Sequence, residues 1–427
     1  MTSIRVRTLV VLAVVTPACP ATPTGPTAAH LQVTGPSVLY GAPGEVEAYT
    51  ATVAMPDGTT SDQTLQATWS SSNGGVLAAL SSGHVQSVGA GTATLTATIA
   101  GVSGSVVIQV TPPTWRFVGT PTLTHADTQT YLLAVDPRDD ATMYVGTLTG
   151  LYVTRDGGGS WQMPVTGFID AIAVDPAAPD TVYALAGARA VMRSIDRGNS
   201  FATLFTSNDV LESIQISTTA PGTLYLGYGG LQDPNPSGVL RSTDGGTSWQ
   251  QFPFGPPGPL IVWSVAEDPL DGTLYAGTEI ANHPQPYRPP FFKSVDRGQT
   301  WTDATGVLPW HVVHISVNPS THAVLALTEG AGLWLSPDHA SSWSLLDNHF
   351  DMSLLMDPRN PVRLFGGDYP SGTRTSGAYI STDGAHFVAF GLDHLQLADF
   401  ALNGGSSRLY AACYNSGIYV TDIAAPQ

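Results

Sequence analysis

The chain has 427 residues, enough for two or three domains with cores of their own. Charged residues make up only 11% while Gly (45) and Pro (33) abound, which argues against long exposed helices and for many short strands joined by tight turns. The formal net charge of -17, with Lys293 as the only lysine, excludes a nucleic-acid partner and a polybasic membrane patch.

At the N-terminus Arg5 and Arg7 precede an apolar run over residues 9–15, followed by Thr16, Pro17, Ala18 and Cys19. This order reads as a signal peptide over residues 1–18, too short to remain as a membrane-spanning helix. It resembles a bacterial lipoprotein signal, which implies lipid attachment at Cys19. Cleavage after Ala18 without lipid is the alternative. Residues 19–30, rich in Pro, Thr and Ala, read as a flexible tether. The second cysteine, Cys413, lies in an apolar stretch and reads as a small buried hydrophobe, so no disulfide is expected.

Residues 31–112 alternate apolar and polar side chains in short runs, with the Pro56-Asp57-Gly58 step as a turn between them. Short strands and frequent turns over this length predict a β-sandwich. The segment resembles the group 2 bacterial immunoglobulin-like domains. The matching residues are Trp69-Ser70-Ser71-Ser72-Asn73, Gly83-His84-Val85, and Gly89-Ala90-Gly91-Thr92-Ala93-Thr94-Leu95-Thr96-Ala97. The resemblance implies a stalk or adhesion module, with Trp69 in the core.

Residues 113–427 are one repeat, copied. Its signature is Thr154-Arg155-Asp156-Gly157-Gly158-Gly159-Ser160-Trp161, which returns at residues 194–201, 242–249, 294–301 and 336–343, with a degenerate copy at 381–387. The aspartates Asp156, Asp196, Asp244, Asp296, Asp338 and Asp383 are 40 to 52 residues apart, the size of a propeller blade. Before each box lie an apolar strand, ending in Asp-Pro in most copies, and then a second and a third strand. The box aromatic opens a fourth. The count is seven units of four strands. The last unit lacks its fourth strand, and residues 115–118 resemble the missing one, which predicts closure of the ring by strand exchange. The segment resembles the Asp-box (BNR) propellers, the superfamily of sialidases and sortilin-type receptors. That resemblance implies a structural role for the box aspartates. The fold class is thus all-β, an immunoglobulin-like sandwich followed by a seven-bladed propeller.

Ligands of that superfamily bind where the inner strands converge, opposite the boxes. Near the starts of the inner strands lie Tyr131, Asp170, Glu212, Trp263, His311, His314, Asp351, His394 and Asp399. Seven of these, Tyr131, Asp170, Glu212, Trp263, His311, Asp351 and Asp399, are the candidate ligand-binding residues. None of these positions is Lys or Arg, so the arginine triad of a sialidase is absent, and an anionic ligand meets no counter-charge. No catalytic residue, cofactor or metal is assigned, since His311 and His314 lack strict ligand spacing. The reading is an exported surface protein, monomeric, touching a membrane only through a lipid at Cys19. Its propeller binds a surface protein or a glycan. The alternative is an extracellular glycoside hydrolase using paired carboxylates at the mouth.

Overall fold

The computed structural model describes residues 30–35, 37–39, 46–54, 59–111, 113–121, 130–230, 236–255, 260–280, 289–348, 352–368 and 377–423. The expected signal peptide, Cys19, most of the tether and Asp351 lie outside the described residues. The ordered elements are strands throughout.

Residues 30–110 form three small sheets around one core. The strands pair in the orders His30–Thr34, Thr50–Ala54, Thr60–Asp62; Val38–Leu39, Val102–Val110, Gly91–Ile99, Thr68–Ser71; and Val46–Ala48, His84–Ser87, Leu77–Ala79. Alternation explains the burial: in Gly91–Ile99, Ala93, Leu95 and Ala97 turn inward and are buried, beside Leu31, Tyr49, Leu77, Val85 and Ile108. Trp69 packs half-buried against this core, and its Nε1 donates to the Thr64 carbonyl at 3.1 Å.

From residue 116 onward the described strands build seven sheets of four strands each. Blades 1 to 6 are four consecutive antiparallel strands, for example Thr130–Asp136, Asp139–Thr147, Gly150–Thr154 and Gln162–Thr166 in blade 1. The first strand of each blade touches the first strand of the next, and that of blade 7 touches that of blade 1, so the ring is closed. This is a seven-bladed β-propeller.

Blade 7 takes its outer strand from the start of the propeller. Arg116–Gly119 pairs antiparallel with Gly417–Asp422, with Arg116 opposite Val420. Phe117 and Tyr419 meet edge to face at 5.4 Å, and the Trp115 indole donates to the Phe390 carbonyl of blade 6 at 2.7 Å. The core lies between blades. At the seam Leu133, Val135 and Val145 of blade 1 pack on Ala401, Tyr410, Ile418 and Val420 of blade 7.

Each box turn joins a third strand to a fourth. In blade 3 Asp244 Oδ1 accepts the Ser242 hydroxyl at 2.8 Å and the Ser248 N–H at 2.9 Å, while Oδ2 accepts the Ser248 hydroxyl at 2.6 Å. The Ser242 hydroxyl oxygen accepts the Gly246 N–H at 2.8 Å. The spacing Ser-x-Asp-x-Gly-x-Ser thus closes one hydrogen-bonded ring. Gly246 has φ +89° and a Cβ there would stand 2.9 Å from the Leu204 side chain of the preceding blade, so glycine is the least strained residue there, although Ala340 holds the equivalent position in blade 5 at φ +62°.

Candidate functional site

In this topology the inner-strand starts and the hairpins joining second to third strands share one face. The box turns occupy the other face, with the turns joining first to second strands. The former face is the mouth.

Six inner strands carry the same irregularity there. The pairing register skips one residue near the strand start: Tyr131, Asp170, Glu212, Trp263, Val313 and Ala398 in blades 1, 2, 3, 4, 5 and 7. A bulged residue drops out of the ladder and its side chain is re-aimed, which is why bulges recur beside binding sites. Four of the candidate residues therefore occupy one structural position in four consecutive blades. The side chain of Tyr131 lies outside the description; its backbone is in the strand Thr130–Asp136.

Asp170 is half-buried, and its Oδ2 accepts the N–H of Ala188 at the hairpin tip of the same blade. Burial pushes its pKa up to about 6, against the pull of that N–H. Glu212, in the next blade, is half-buried too. Burial, and then the charge of Asp170, push it up to about 7. The two carboxyls are thus within electrostatic reach of each other, and no cation among the described residues acts on either. Trp263, half-buried, belongs to none of the interblade hydrophobic clusters, and its Nε1 donates to Glu279 Oε2 at 2.7 Å. That bond fixes the orientation of the indole edge.

His311 stands just before the inner strand Val312–Val317 of blade 5, with Nε2 2.6 Å from Glu329 Oε2. Glu279 and Glu329 occupy the same position, directly after Thr278 and Thr328, which pair with Val262 and Val312. Neither was singled out from the sequence, although the repeated Thr-Glu step would have found them. His314 is driven down to about 4 by burial and stays neutral.

Asp399 occupies a different place from the bulged acids. It follows the bulge of blade 7, and its Oδ2 accepts the Leu133 N–H of blade 1 at 2.9 Å while Oδ1 accepts the N–H of Phe400 at 2.8 Å. With both oxygens engaged it is a bond across the closing seam. Burial pushes its pKa up to about 7. Ser264 Oγ plays the same part between blades 4 and 5, accepting the Ile315 N–H at 3.2 Å. The structure therefore places Asp170, Glu212, Trp263 and His311 near the mouth, and Asp399 across the closing seam with both oxygens engaged.

No family profile matches the sequence, and no curated protein matches it. Among solved structures, YCF48 from Cyanidioschyzon merolae aligns over 72% of this chain and 98% of its own, with 14% identity and a TM-score of 0.52. YCF48 bound to D1 peptide aligns over 73% and 97%, with 14% identity and a TM-score of 0.51. The extracellular domain of BT4673 from B. thetaiotaomicron, described as a one component system, aligns over 74% of this chain and 41% of its own, with 13% identity and a TM-score of 0.54. The shared feature is the fold. These likenesses agree with a propeller and carry no ligand over to this chain.

Proposed function

We propose that this chain is a non-catalytic, exported surface protein whose propeller mouth binds a protein or glycan through a neutral or cationic group. The observation that carries the reading is the arc at the bulge position. Asp170 and Glu212 lie side by side on adjacent blades, half-buried and without a cation acting on them among the described residues, and Trp263 follows on the next blade. A buried carboxyl with no counter-charge gains from a donor or cation, and an indole face stacks on a sugar or a cation. An anion at the same place meets repulsion and desolvation. A peptide-bound YCF48 has the same fold, which is compatible with a protein partner. In this reading residues 1–18 are a signal peptide, Cys19 carries a lipid, residues 19–30 are a tether and 31–112 an immunoglobulin-like spacer. Residues 113–427 are the Asp-box propeller.

A second reading, a glycoside hydrolase, draws on the same pair, because a carboxyl raised to about 7 suits a general acid. Its geometry is less favourable: hydrolysis requires two carboxyls facing each other across the scissile bond, and these two occupy equivalent positions on neighbouring blades. An array of neutral, cationic and anionic glycans and peptides separates the readings, probed with wild type and Trp263→Ala and followed by a hydrolysis assay on every binder. The expected result is retention of neutral or cationic ligands, lost in Trp263→Ala, without turnover. Turnover abolished by Glu212→Gln supports the hydrolase. Capture of sialylated or sulfated ligands alone contradicts both.

A further inference from the structure

We propose that Asp268, Asp271, His322 and His339 form a site for a divalent transition metal of the zinc class, on the box face between blades 4 and 5. One donor atom from each of the four lies within 4.8 Å of every other. Two imidazole nitrogens and two carboxylate oxygens are a donor set that zinc accepts, and tetrahedral coordination asks for donor separations of about 3.3–3.5 Å.

The carboxylates are already oriented for the task. Oδ1 of each is held by a backbone N–H of its own turn, Leu270 to Asp268 at 2.9 Å and Thr273 to Asp271 at 2.8 Å. Oδ2 of each faces Nδ1 of His322, at 2.8 and 3.9 Å. The His322 and His339 rings lie beside each other, with centroids 4.5 Å apart. Asp268 is fully buried, while Asp271 and His322 are open enough to admit an ion. Outer hydrogen bonds that fix ligand atoms in this way are characteristic of metal sites.

The repeat itself supplies the independent argument. At the junction of blades 1 and 2 the equivalent carboxylates are Asp136 and Asp139. There the residue after the box aspartate is Arg197, whose guanidinium bonds Asp136 Oδ2 and Asp139 Oδ2, each at 3.0 Å. A permanent cation thus sits between the two acids. At the junction of blades 4 and 5 the same box position is His339, and the ion pairs of Asp268 and Asp271 within 4 Å among the described residues are with His322. Lys293, the nearest lysine, is spent on the His339 carbonyl at 2.8 Å. Both histidines also have positive φ, +62° and +56°, at turn positions held by glycine in other blades, Gly272 and Gly157. Arg197 holds the box position at φ +59° as well, so at both turns a side chain stands where glycine is less strained. A bound metal supplies the charge that Arg197 supplies elsewhere, and it ties the two blades together.

Titration of the chelator-stripped full chain with Zn²⁺, and with Co²⁺ for its visible spectrum, tests this. Wild type is expected to take up one equivalent, with a tetrahedral cobalt spectrum and a higher melting temperature. His339→Arg recreates the blade 1–2 pairing and His322→Gly restores the glycine of the repeat, so both variants are expected to fold. Each should bind at least about 100-fold more weakly and lose the thermal response. A wild type without stoichiometric uptake overturns the proposal, and so do folded variants that keep the wild-type affinity.

Discussion

At the scale of single residues the box turns are the clearest case of sequence dictating structure. A carboxylate with three short bonds to its own turn is stabilised in its charged form. The hydroxyl and N–H of Ser248 and the hydroxyl of Ser242 hold Asp244 at about 2, and Asp156, Asp196 and Asp338 are held there in the same way. Since these folded pKa values lie below those of the unfolded chain, the contribution is complete above about pH 4 and is lost as pH falls through about 2. Asp244→Ala should therefore lower the melting temperature at pH 7 and have little effect near pH 2. The aromatic partner acts through packing. Trp343 is buried, meets Phe291 edge to face at 5.2 Å and donates to the Ala304 carbonyl at 3.0 Å. Trp343→Ala should cost about 3–5 kcal/mol, read by denaturant unfolding. An unchanged midpoint in both variants contradicts the structural role of the box.

At the scale of elements the closing strand decides whether the blades act as one body. Removing residues 115–119 exposes the edge of Gly417–Asp422 and deletes the Trp115 bond to blade 6. Such a chain should melt earlier and less cooperatively than one cut before residue 113, and equal melting of the two would contradict closure by this strand. This element was legible because Trp115-Arg116-Phe117-Val118 repeats the pattern after each box. Strand order and blade number were legible for the same reason: a repeat states its own period. Glu279 and Glu329 were not found, since their partners Trp263 and His311 lie 16 and 18 residues away. Asp399 was expected at the mouth, because a sequence does not reveal that the bulged residue of that strand is Ala398 and Asp399 the one after it. The cluster of Asp268, Asp271, His322 and His339 was invisible for a stronger reason. Its donors come from three turns of two blades, and no local spacing announces them.

At the scale of the whole molecule, a net charge of -17 coexists with four carboxyls raised by burial among the described residues: Asp170 to about 6, Glu212 to about 7, Asp399 to about 7, and Glu47. Here the folded values lie above the unfolded ones, so the stability these groups contribute is complete below about pH 4 and lost as pH rises through about 7. The melting temperature should fall between pH 5 and pH 8, and Asp399→Asn should flatten the slope; a slope that the variant leaves unchanged contradicts the seam role. The same titration governs the mouth, where a cationic ligand needs Asp170 and Glu212 charged. The most direct test of the account is the affinity of a cationic ligand retained by the array, measured from pH 5 to pH 8 in wild type, Glu212→Gln and Trp263→Ala. Binding should strengthen as pH rises through 6 to 7, lose most of that dependence in Glu212→Gln, and weaken at every pH in Trp263→Ala. Binding that is independent of pH and indifferent to both substitutions would contradict a ligand site at the propeller mouth.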